Sequence, residues 1–520
     1  SPTAARTAQR LLVSTCVLYG FELSSIDIST AFLQGMNLSD METITGEQRR
    51  ACVKPPADIW EFLPQEEIDK AARKAQNSSW SDLIWNLLKP AYGLKDAPLL
   101  WIMNLCKFIK EMVIKYAGES LVWIESLFDE STFYLRNKAN TLLAMMTVHV
   151  DDLALATFPE IRKQMSAQLD KRFGKTKLQQ NKFQHTGRDY EQHSDGSVST
   201  SLFTFIEAQK SEPIKDKLTA KLGKTGATSL RSVNGSLQYI SSERPDAYGK
   251  ISVSQESMND IENQTWQTVA NANLILEEIK VTNVTSKLWY PVFDKQPKST
   301  GYNTDFKILV ISDSAFKNLK SKHSQGGYAI LLVRSEGADS VGGLCHVLEF
   351  NSRKSRRVVK STWGAEMHAL ISALERAERI YYWLKEIWQG PSGIPGIDRV
   401  ETMINTDSYI AVQACVDCKG LYDSITSPVV GSLTDMSMQL YLIALRETMR
   451  VGPLSELCWI ETHDMLVDAQ TKWMDDVLWK SFYRTSYWSP SEATCTRRRD
   501  KGQLERFTKT LVALTYSFLH

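Results

Sequence analysis

Two sets of acidic residues in this sequence have the types and positions to do metal-assisted chemistry. In the first, Asp27 closes the short run Phe21–Asp27, and Asp151 and Asp152 lie between the apolar runs Leu142–Val150 and Leu153–Ala156. Phosphoryl transfer to a nucleotide uses two divalent cations about 4 Å apart, one activating the attacking hydroxyl and one steadying the leaving pyrophosphate. Mg2+ prefers carboxylate oxygens and keeps some of its waters. Carboxylates at the ends of neighbouring strands can converge on such a pair, with Asp27 and Asp151 as the main ligands and Asp152 as a secondary one. Asp is also a common turn residue, so Asp151–Asp152 alone says little; its partnership with Asp27 carries the reading.

The second set is Asp313, Glu366 and Asp468, with either Asp407 or Asp417 as a fourth member. Asp313 ends the buried-strand pattern Lys307–Asp313. Glu366 stands four residues before Leu370, on a stripe that continues through Leu374, Ala377, Tyr381, Leu384 and Trp388 at steps of three and four. A carboxylate on a core-facing stripe is costly unless it is paired or binds metal. The competing account is a helix N-terminal carboxylate favoured by the macrodipole. Asp407 follows the run Val400–Asn405, Asp417 follows Ile410–Val416, and Asp468 falls on a helix that starts near Thr462.

The elements that must position these groups follow from periodicity. Phe21–Asp27 reads as a strand, and residues 142–156 read as a hairpin with the two aspartates at its tip. From Phe306 to about residue 480 the order is strand, strand, strand, long helix, strand, helix, helix, strand, helix. The long helix runs over Thr362–Trp388 and is stopped by Gly390 and Pro391. Residues 159–290 read as mostly helical and 291–305 as a loop. From Ser489 the chain is polar and basic and reads as loosely ordered, with a short helix over Leu511–Leu519.

Bulk properties set limits. A chain of 520 residues holds several domains, and 43% hydrophobic with 23% charged residues is ordinary for a globular protein. No apolar run reaches the roughly 18–20 residues that span a bilayer, so no membrane partner is expected. The eight cysteines show no framework spacing, and Cys415-x-x-Cys418 lacks the two further ligands a zinc site needs. They read as ordinary buried thiols of a reducing, intracellular protein. A net charge of +1 counts mildly against nucleic-acid binding, but it conceals basic clusters at Arg353, Lys354, Arg356, Arg357 and Lys360 and at Arg497–Arg499. The start Ser1-Pro2-Thr3-Ala4 is not a signal peptide and has no initiator Met, so the sequence reads as a piece of a longer precursor.

Four segments carry a specific resemblance. Asp27-Ile-Ser-Thr-Ala-Phe-Leu-Gln-Gly35 is similar to D-[VI]-x-x-A-F-L-x-G; Val53-Lys54-Pro55-Pro56 to a "PP" element; Lys89–Trp101 to K-x-L-Y-G-L-K-Q-A-P-R-x-W; and His149-Val150-Asp151-Asp152 to Y-V-D-D. In this order they resemble the reverse transcriptase of copia-type retrotransposon Pol polyproteins. Further on, Ser361-Thr-Trp-Gly-Ala-Glu366 is similar to S-S-T-E-A-E, and Trp459–Lys472 to W-[VI]-x-T-x-x-x-x-A-D-x-L-T-K, motifs of the ribonuclease H region of the same polyproteins. Three departures stand out: His149 for the usual Tyr, Asp96 for Gln, and Gly364 for the first acid of the helix motif.

The resemblance implies roles. Phe32 is the bulky residue that crowds the 2′ position of the incoming nucleotide, and Gly93, Leu94 and Lys95 line the nucleotide and template pocket. Asp313, Glu366, a fourth carboxylate and Asp468 make a D-E-D-D set. The spacing from Asp417 to Leu445-Arg446-Glu447 suits the family better than that from Asp407.

The implied fold is an α+β / α/β multidomain chain: a right-hand polymerase palm with partial fingers (1–158), a mostly helical thumb or connection (159–295), an RNase H-like α/β domain (303–480) and a C-terminal tail (489–520). The implied activities are RNA-directed DNA polymerisation, extending a DNA primer on an RNA template with dNTPs, and hydrolysis of the RNA strand of the RNA–DNA hybrid. Both use Mg2+, with Mn2+ as a substitute, and the hybrid is gripped by backbone and shape. The location expected is a cytoplasmic particle or the nucleus. Because 26 residues precede Asp27 while the family's triphosphate-holding fingers lie largely before that point, the expectation is hybrid cleavage with little primer extension. Two other readings stand beside it: an inactive remnant that only binds nucleic acid, and a domesticated interaction scaffold.

Overall fold

The computed structural model describes residues 3–46, 50–56, 58–75, 84–337, 339–391, 409–427, 436–450 and 452–497. The chain begins with α1 (Arg6–Tyr19), β1 (Glu22–Asp27), α2 (Leu38–Thr45), β2 (Cys52–Val53), α3 (Gln65–Ala75), β3 (Trp85–Asn86) and α4 (Ala97–Glu111). It continues through β4 (Val113–Tyr116), β5 (Glu119–Glu125), β6 (Thr132–Arg136), β7 (Leu142–His149), β8 (Asp152–Thr157), α5 (Pro159–Phe173) and β9 (Lys177–Gln180). Seven of these strands form one antiparallel sheet in the order β4-β5-β6-β7-β8-β1-β9.

Strand β8 shows how this sheet is covered on both faces. Leu153 and Leu155 pack with α4 and α5, whereas Ala154 and Ala156 join the cluster that contains α1. The alternation is the period of two that a pleated strand imposes. Helix α1 is sandwiched on its far side as well, where the Thr7 hydroxyl donates to Glu349 and Ser14 Oγ meets His346 Nδ1 at 2.9 Å.

The middle of the chain holds β10 (Lys182–His185), β11 (Arg188–Gln192), β12 (Val198–Ser201), α6 (Phe203–Ala208), α7 (Gly223–Ile240), α8 (Pro245–Ser254), α9 (Trp266–Val281) and β13 (Leu288–Tyr290). Helices dominate here, as the sequence suggests. It also contains an unforeseen sheet, β10-β11-β12-β13. Its strands are short and carry few apolar residues, such as Lys182-Phe-Gln-His185, so alternation alone could not reveal them.

The last part comprises β14 (Asn303–Ala315), β15 (Gln325–Ser335), β16 (Gly343–Lys354), α10 (Thr362–Gln389), β17 (Ile410–Val416), α11 (Lys419–Thr426), α12 (Met436–Arg450) and β18 (Leu454–Ile460). It ends with α13 (Asp468–Thr471), α14 (Val477–Thr485), β19 (Tyr487–Trp488) and β20 (Ala493–Arg497). The sheet order is β19-β16-β15-β14-β17-β18-β20. Strands β14, β15 and β16 are antiparallel neighbours, and β14-β17-β18 are parallel. Central β14 is buried along Phe306–Ala315, as expected for a strand with both faces covered. Helix α10 lies across the sheet with Leu370, Leu374, Ala377, Tyr381, Leu384 and Trp388 all buried. Its start is fixed by Ser361, whose hydroxyl accepts from the Gly364 N–H at 3.1 Å, and it ends at Gly390, which has a φ of +77°.

Two expectations are corrected. The segment from Ser489 is not loose throughout, since β20 pairs antiparallel with β18 and completes the sheet edge. Residues 498–520, including Arg498, Arg499 and the expected helix over Leu511–Leu519, lie outside the described residues. The cysteines are not all thiols either: Cys458 and Cys495, opposite each other in that pairing, form a disulfide. Their separation of 37 residues is unremarkable in sequence, and only strand register brings them together. The other six are free, Cys415 and Cys418 among them. No helix among the described residues is long and apolar enough to cross a membrane.

Candidate functional site

The first carboxylate set is assembled by strand register. Asp27 on β1 lies opposite Asp152 on β8, and Asp152 in turn lies opposite His149 on β7. Residues 150 and 151 are the two-residue link of the β7–β8 hairpin, and the Ile28 N–H donates to the Asp151 carbonyl at 3.0 Å. Asp27 and Asp151 are therefore next to each other at one end of the sheet. Two β-branched residues here adopt left-handed backbone conformations, Thr30 at φ +55° and Val150 at φ +60°. Each costs of order 1–3 kcal/mol, so the surroundings must hold them in place.

The sequence motifs supply that hold. The Trp101 indole N–H donates to the Val150 carbonyl at 2.7 Å. Gly35 packs so tightly on the other motifs that an added Cβ would lie 2.6 Å from Pro90 Cγ and 3.3 Å from the Trp101 nitrogen. The Met36 N–H donates to Leu100 O at 3.2 Å. Phe32, half-buried, meets the Tyr92 ring edge-on with centroids 5.4 Å apart. Gly93 follows at φ +92°; Leu94 is half-buried and Lys95 exposed. Segments far apart in sequence thus meet around the Asp27–Asp151 corner. Val53 and Lys54 are exposed, with Val53 paired to Trp85 in the β2–β3 ribbon.

The three acids of this set are not equivalent. Asp151 is half-buried, and burial, with Asp27 and Asp152 nearby, raises its pKa. Burial also pushes the Asp152 carboxyl up. The His185 ring, 3.3 Å away, the Ser25 hydroxyl at 2.9 Å and the Thr186 N–H more than offset this and hold it below the usual value. Asp152 is thereby tied into the frame of the sheet end. His149 stays neutral more readily than a free imidazole because burial and His185 both lower its pKa.

The second set is more enclosed. Strands β14 and β17 pair in parallel with Ile311 beside Cys415, and two residues on from each stand Asp313 and Asp417. Helix α10 brings Glu366 to the same place in its first turns. Ligand oxygens of Asp313, Glu366 and Asp417 all lie within 4.8 Å of one another. Asp313 and Glu366 are 2% and 4% exposed. Glu366 Oε1 accepts from the Ser314 N–H at 3.3 Å, and Glu366 Oε2 is buried with no hydrogen-bond partner. Burial, with Asp468 and Asp417 adding to it and Lys472 opposing, pushes Asp313 up to about 7. Burial followed by Asp313 and Asp417 pushes Glu366 up to about 10. Asp417 is raised by burial and by Asp468, with the Thr462 hydroxyl opposing.

Asp468, at the start of α13, adds its charge to the group but is ion-paired with Lys472. Asp407 lies outside the described residues. Sequence reasoning assigned no task to Lys472 or Thr471. The Lys472 ammonium lies 3.8 Å from Asp313, and the Thr471 hydroxyl donates to the same carboxylate. Both belong to the Trp459–Lys472 motif, which was the available signal. Three carboxylates in so little water repel each other and call for a cation, which Lys472 supplies only from one side.

No family model matches the chain. It is 21% identical over 501 residues to the retrovirus-related Pol polyprotein from transposon RE2 of Arabidopsis thaliana, covering 93% of this chain and 29% of that polyprotein. For the polyprotein from transposon RE1 of the same plant the figures are 22% over 498 residues, 93% and 28%. A transposon Ty5-1 protein of Saccharomyces cerevisiae is 29% identical over 134 residues, 25% of this chain and 39% of that protein. The chain spans less than a third of the length of the two plant relatives. Among solved structures, a foamy viral protease-reverse transcriptase in complex with an RNA/DNA hybrid overlays 89% of this chain and 46% of its own, with a TM-score of 0.44 and 11% identity. The homologues of this chain are copia-type retrotransposon Pol polyproteins, at modest identity.

Proposed function

We propose, from its homology to copia-type Pol polyproteins, that the chain is an RNA-directed DNA polymerase with an attached ribonuclease H. The first sheet is the polymerase palm and the last sheet the nuclease. The observation that carries the nuclease half is the convergence of buried Asp313 and Glu366 with half-buried Asp417, their ligand atoms within 4.8 Å of one another. The polymerase half rests on the meeting of the sequence motifs around Asp27 and Asp151.

The residues fit divalent cations. Glu366 Oε2 is an orphaned buried oxygen, and the carboxyl groups of the trio are raised toward protonation, which a cation would reverse. Asp313, Glu366 and Asp417, with Asp468, would hold Mg2+ or Mn2+ in the nuclease, and Asp27 and Asp151 in the polymerase. When bound, such ions activate an attacking oxygen and stabilise the charge on the leaving one. Lys472 partly neutralises Asp313 and Asp468, and Thr471 orients Asp313. In the polymerase, Phe32 crowds the sugar of an incoming dNTP, while Gly93, Leu94 and Lys95 face nucleotide and template. Substrates are an RNA template, a DNA primer and dNTPs for one centre and an RNA–DNA hybrid for the other. The protein acts inside the cell, in a cytoplasmic particle or the nucleus.

The test is hybrid cleavage and primer extension by the full chain, with Mg2+ and with EDTA. Metal-dependent cleavage that Asp313→Asn abolishes supports the nuclease. Metal-dependent extension that Asp27→Asn abolishes supports the polymerase. Binding of a hybrid with neither activity leaves only the remnant reading.

A further inference from the structure

Three neighbouring strands at one edge of the last sheet carry two matched rows of side chains. Gln413, Glu456 and Arg497 are register partners on β17, β18 and β20, and the next row on the same face is Cys415, Cys458 and Cys495. Cys458 and Cys495 are joined as a disulfide. A carboxylate oxygen of Glu456 and the two sulfurs all lie within 4.8 Å of one another. We propose that Glu456, Cys458 and Cys495 form a Zn2+ site once a thiol reductant has opened the disulfide. The site is independent of the activities proposed above.

The exchange balances. Two molecules of a thiol R–SH break the S–S bond and leave Cys458–SH, Cys495–SH and R–S–S–R. Zn2+ then takes the two thiolates, and two protons are released with no further change of oxidation state. Access is from the Cys495 side. Cys458 is fully buried, whereas half-buried Cys495 lines an open pocket of about 580 Å³ together with Glu456, Asp339 and Arg497. The same pocket gives the cation its entry path and a water for the fourth position.

The donors suit this cation. Zn2+ takes thiolate sulfur and carboxylate oxygen in tetrahedral sites, whereas Mg2+ takes oxygen alone. Two Zn–S bonds of about 2.3 Å at the tetrahedral angle set the sulfurs about 3.8 Å apart. The two Cα atoms are 4.1 Å apart, so rotation about the Cα–Cβ bonds supplies that separation without moving the strands. Glu456 is already oriented: Oε1 accepts from Arg497 Nε at 3.0 Å and Oε2 accepts from Gln413 Nε2. Each carboxylate oxygen keeps a lone pair beyond those bonds, and outer hydrogen bonds of this kind are what fix a ligating carboxylate. Two thiolates and a carboxylate carry three negative charges, and Arg497 beside them is shared with Asp339. A divalent cation offsets the excess. In the reduced protein it would take over from the disulfide in pinning β20 to β18, closing the segment that carries Asp468 and Lys472.

The experiment titrates the full chain with Co2+, a spectroscopic stand-in for Zn2+, in excess Mg2+. The protein is first reduced with a phosphine, which does not compete for the metal as a dithiol would. Excess Mg2+ occupies oxygen-only sites such as the acidic trio. Co2+ held by thiolates gives a near-ultraviolet sulfur-to-cobalt charge-transfer band that carboxylate-bound Co2+ lacks. The band is expected to saturate at one Co2+ per chain, to bleach when Zn2+ is added and to be missing from the oxidised protein. Cys458→Ser and Cys495→Ser should abolish it, and Cys415→Ser, the next thiol in the row, should leave it. Glu456→Gln keeps every cysteine, so its affinity stays readable even if a serine variant fails to fold. It should bind Co2+ at least about tenfold more weakly, no less than the loss of an outer-shell partner costs. A reduced wild type with intact circular dichroism and no band overturns the site. A band that survives either serine variant of the pair, disappears in Cys415→Ser or keeps its affinity in Glu456→Gln overturns this set of ligands.

Discussion

Trp101 and Val150 are joined by an indole N–H donating to a backbone carbonyl at 2.7 Å, a bond that ties helix α4 to the turn presenting Asp151. Trp101 is fully buried, and Val150 holds a backbone conformation that β-branched residues avoid. The bond compensates for strain at the point where the chain must turn so that Asp151 can stand beside Asp27. Trp101→Phe keeps most of the packing and removes the donor. It is expected to cost about 1–3 kcal/mol, the usual result of leaving such an acceptor unpaired, and to raise hydrogen exchange in β7 and β8. Denaturant unfolding and exchange mass spectrometry check this. Exchange that rises elsewhere but not in the hairpin would break the link.

The acidic trio makes a pH prediction with a definite sign. Asp313 and Glu366 sit at about 7 and about 10 in the fold, against about 3.9 and about 4.3 for free groups. Raised carboxyl groups favour the fold while protonated, so their contribution is full below about pH 4 and is lost as pH rises through 7 and on toward 10. A divalent cation favours the ionised forms and displaces the protons. Without metal, Tm should fall between pH 5 and pH 9. Asp476, raised to about 8 chiefly by burial, adds to that fall, so the Mg2+-dependent difference is the measurement that isolates the trio. The increment given by Mg2+ should grow from pH 6 to pH 9 and shrink in Asp313→Asn. An increment that does not change with pH argues that the metal is held elsewhere.

The legible and illegible parts of this molecule differ for physical reasons. Helix α10 could be read because a long stripe of apolar residues at steps of three and four, closed by Gly390 and Pro391, repeats one signal many times. The order of elements around Asp313, Glu366 and Asp417 could be read for similar reasons, and parallel register then sets Asp313 beside Asp417. Other features depend on what the chain meets after folding. The strands of residues 182–201 carry few apolar residues, and Phe183, Tyr190 and Val198 acquire a core only by joining the cluster that contains α1. Asp152 gives no sign in sequence that His185, Ser25 and Thr186 will occupy it, because His185 is 33 residues away. The disulfide partner of Cys458 is named by β18–β20 register and by nothing local.

Phe32 is the place to separate packing from selectivity. Its ring touches Tyr92 on one side and the cluster around Trp101 on the other, with part of its surface open. Phe32→Val removes bulk without introducing a polar group. If the ring crowds the 2′ position, the variant should incorporate ribonucleotides more readily, narrowing dNTP-over-NTP discrimination by about tenfold or more, the effect of about 1.4 kcal/mol. Single-nucleotide extension with dNTP and NTP pairs measures it. Unchanged discrimination with a lower Tm would assign Phe32 to the core.

The Cys458–Cys495 bond closes a loop of 37 residues that includes α13 and α14. Cross-links of this span stabilise by about 3–4 kcal/mol in the chain-entropy treatment. Titration of the oxidised protein in denaturant should find six reactive thiols, and eight after reduction. Cys495→Ser should lower unfolding stability and make β20 the first segment to exchange. Eight thiols before reduction would show that the strand pairs without the bond.

The two centres stand on different sheets, so they should be separable by single substitutions that change charge and keep shape. Asp417→Asn removes one carboxylate from the trio while leaving Asp27, Asp151 and the hairpin untouched. Removing one preorganised charged group from such a site typically costs about 100-fold or more in rate. Hybrid cleavage should fall by at least that factor, with primer extension unaffected. Asp27→Asn should do the reverse. Asp407→Asn is the discriminating third variant, because Asp417 stands where β14–β17 register puts it, two residues beyond Cys415 and within ligand distance of Asp313 and Glu366. It should leave both activities unchanged. Loss of cleavage in Asp407→Asn with full cleavage in Asp417→Asn would transfer the fourth position to Asp407. Loss of both activities in Asp27→Asn and Asp417→Asn alike, with both variants folded, would mean that the centres act through one another and that the division into two sites is wrong.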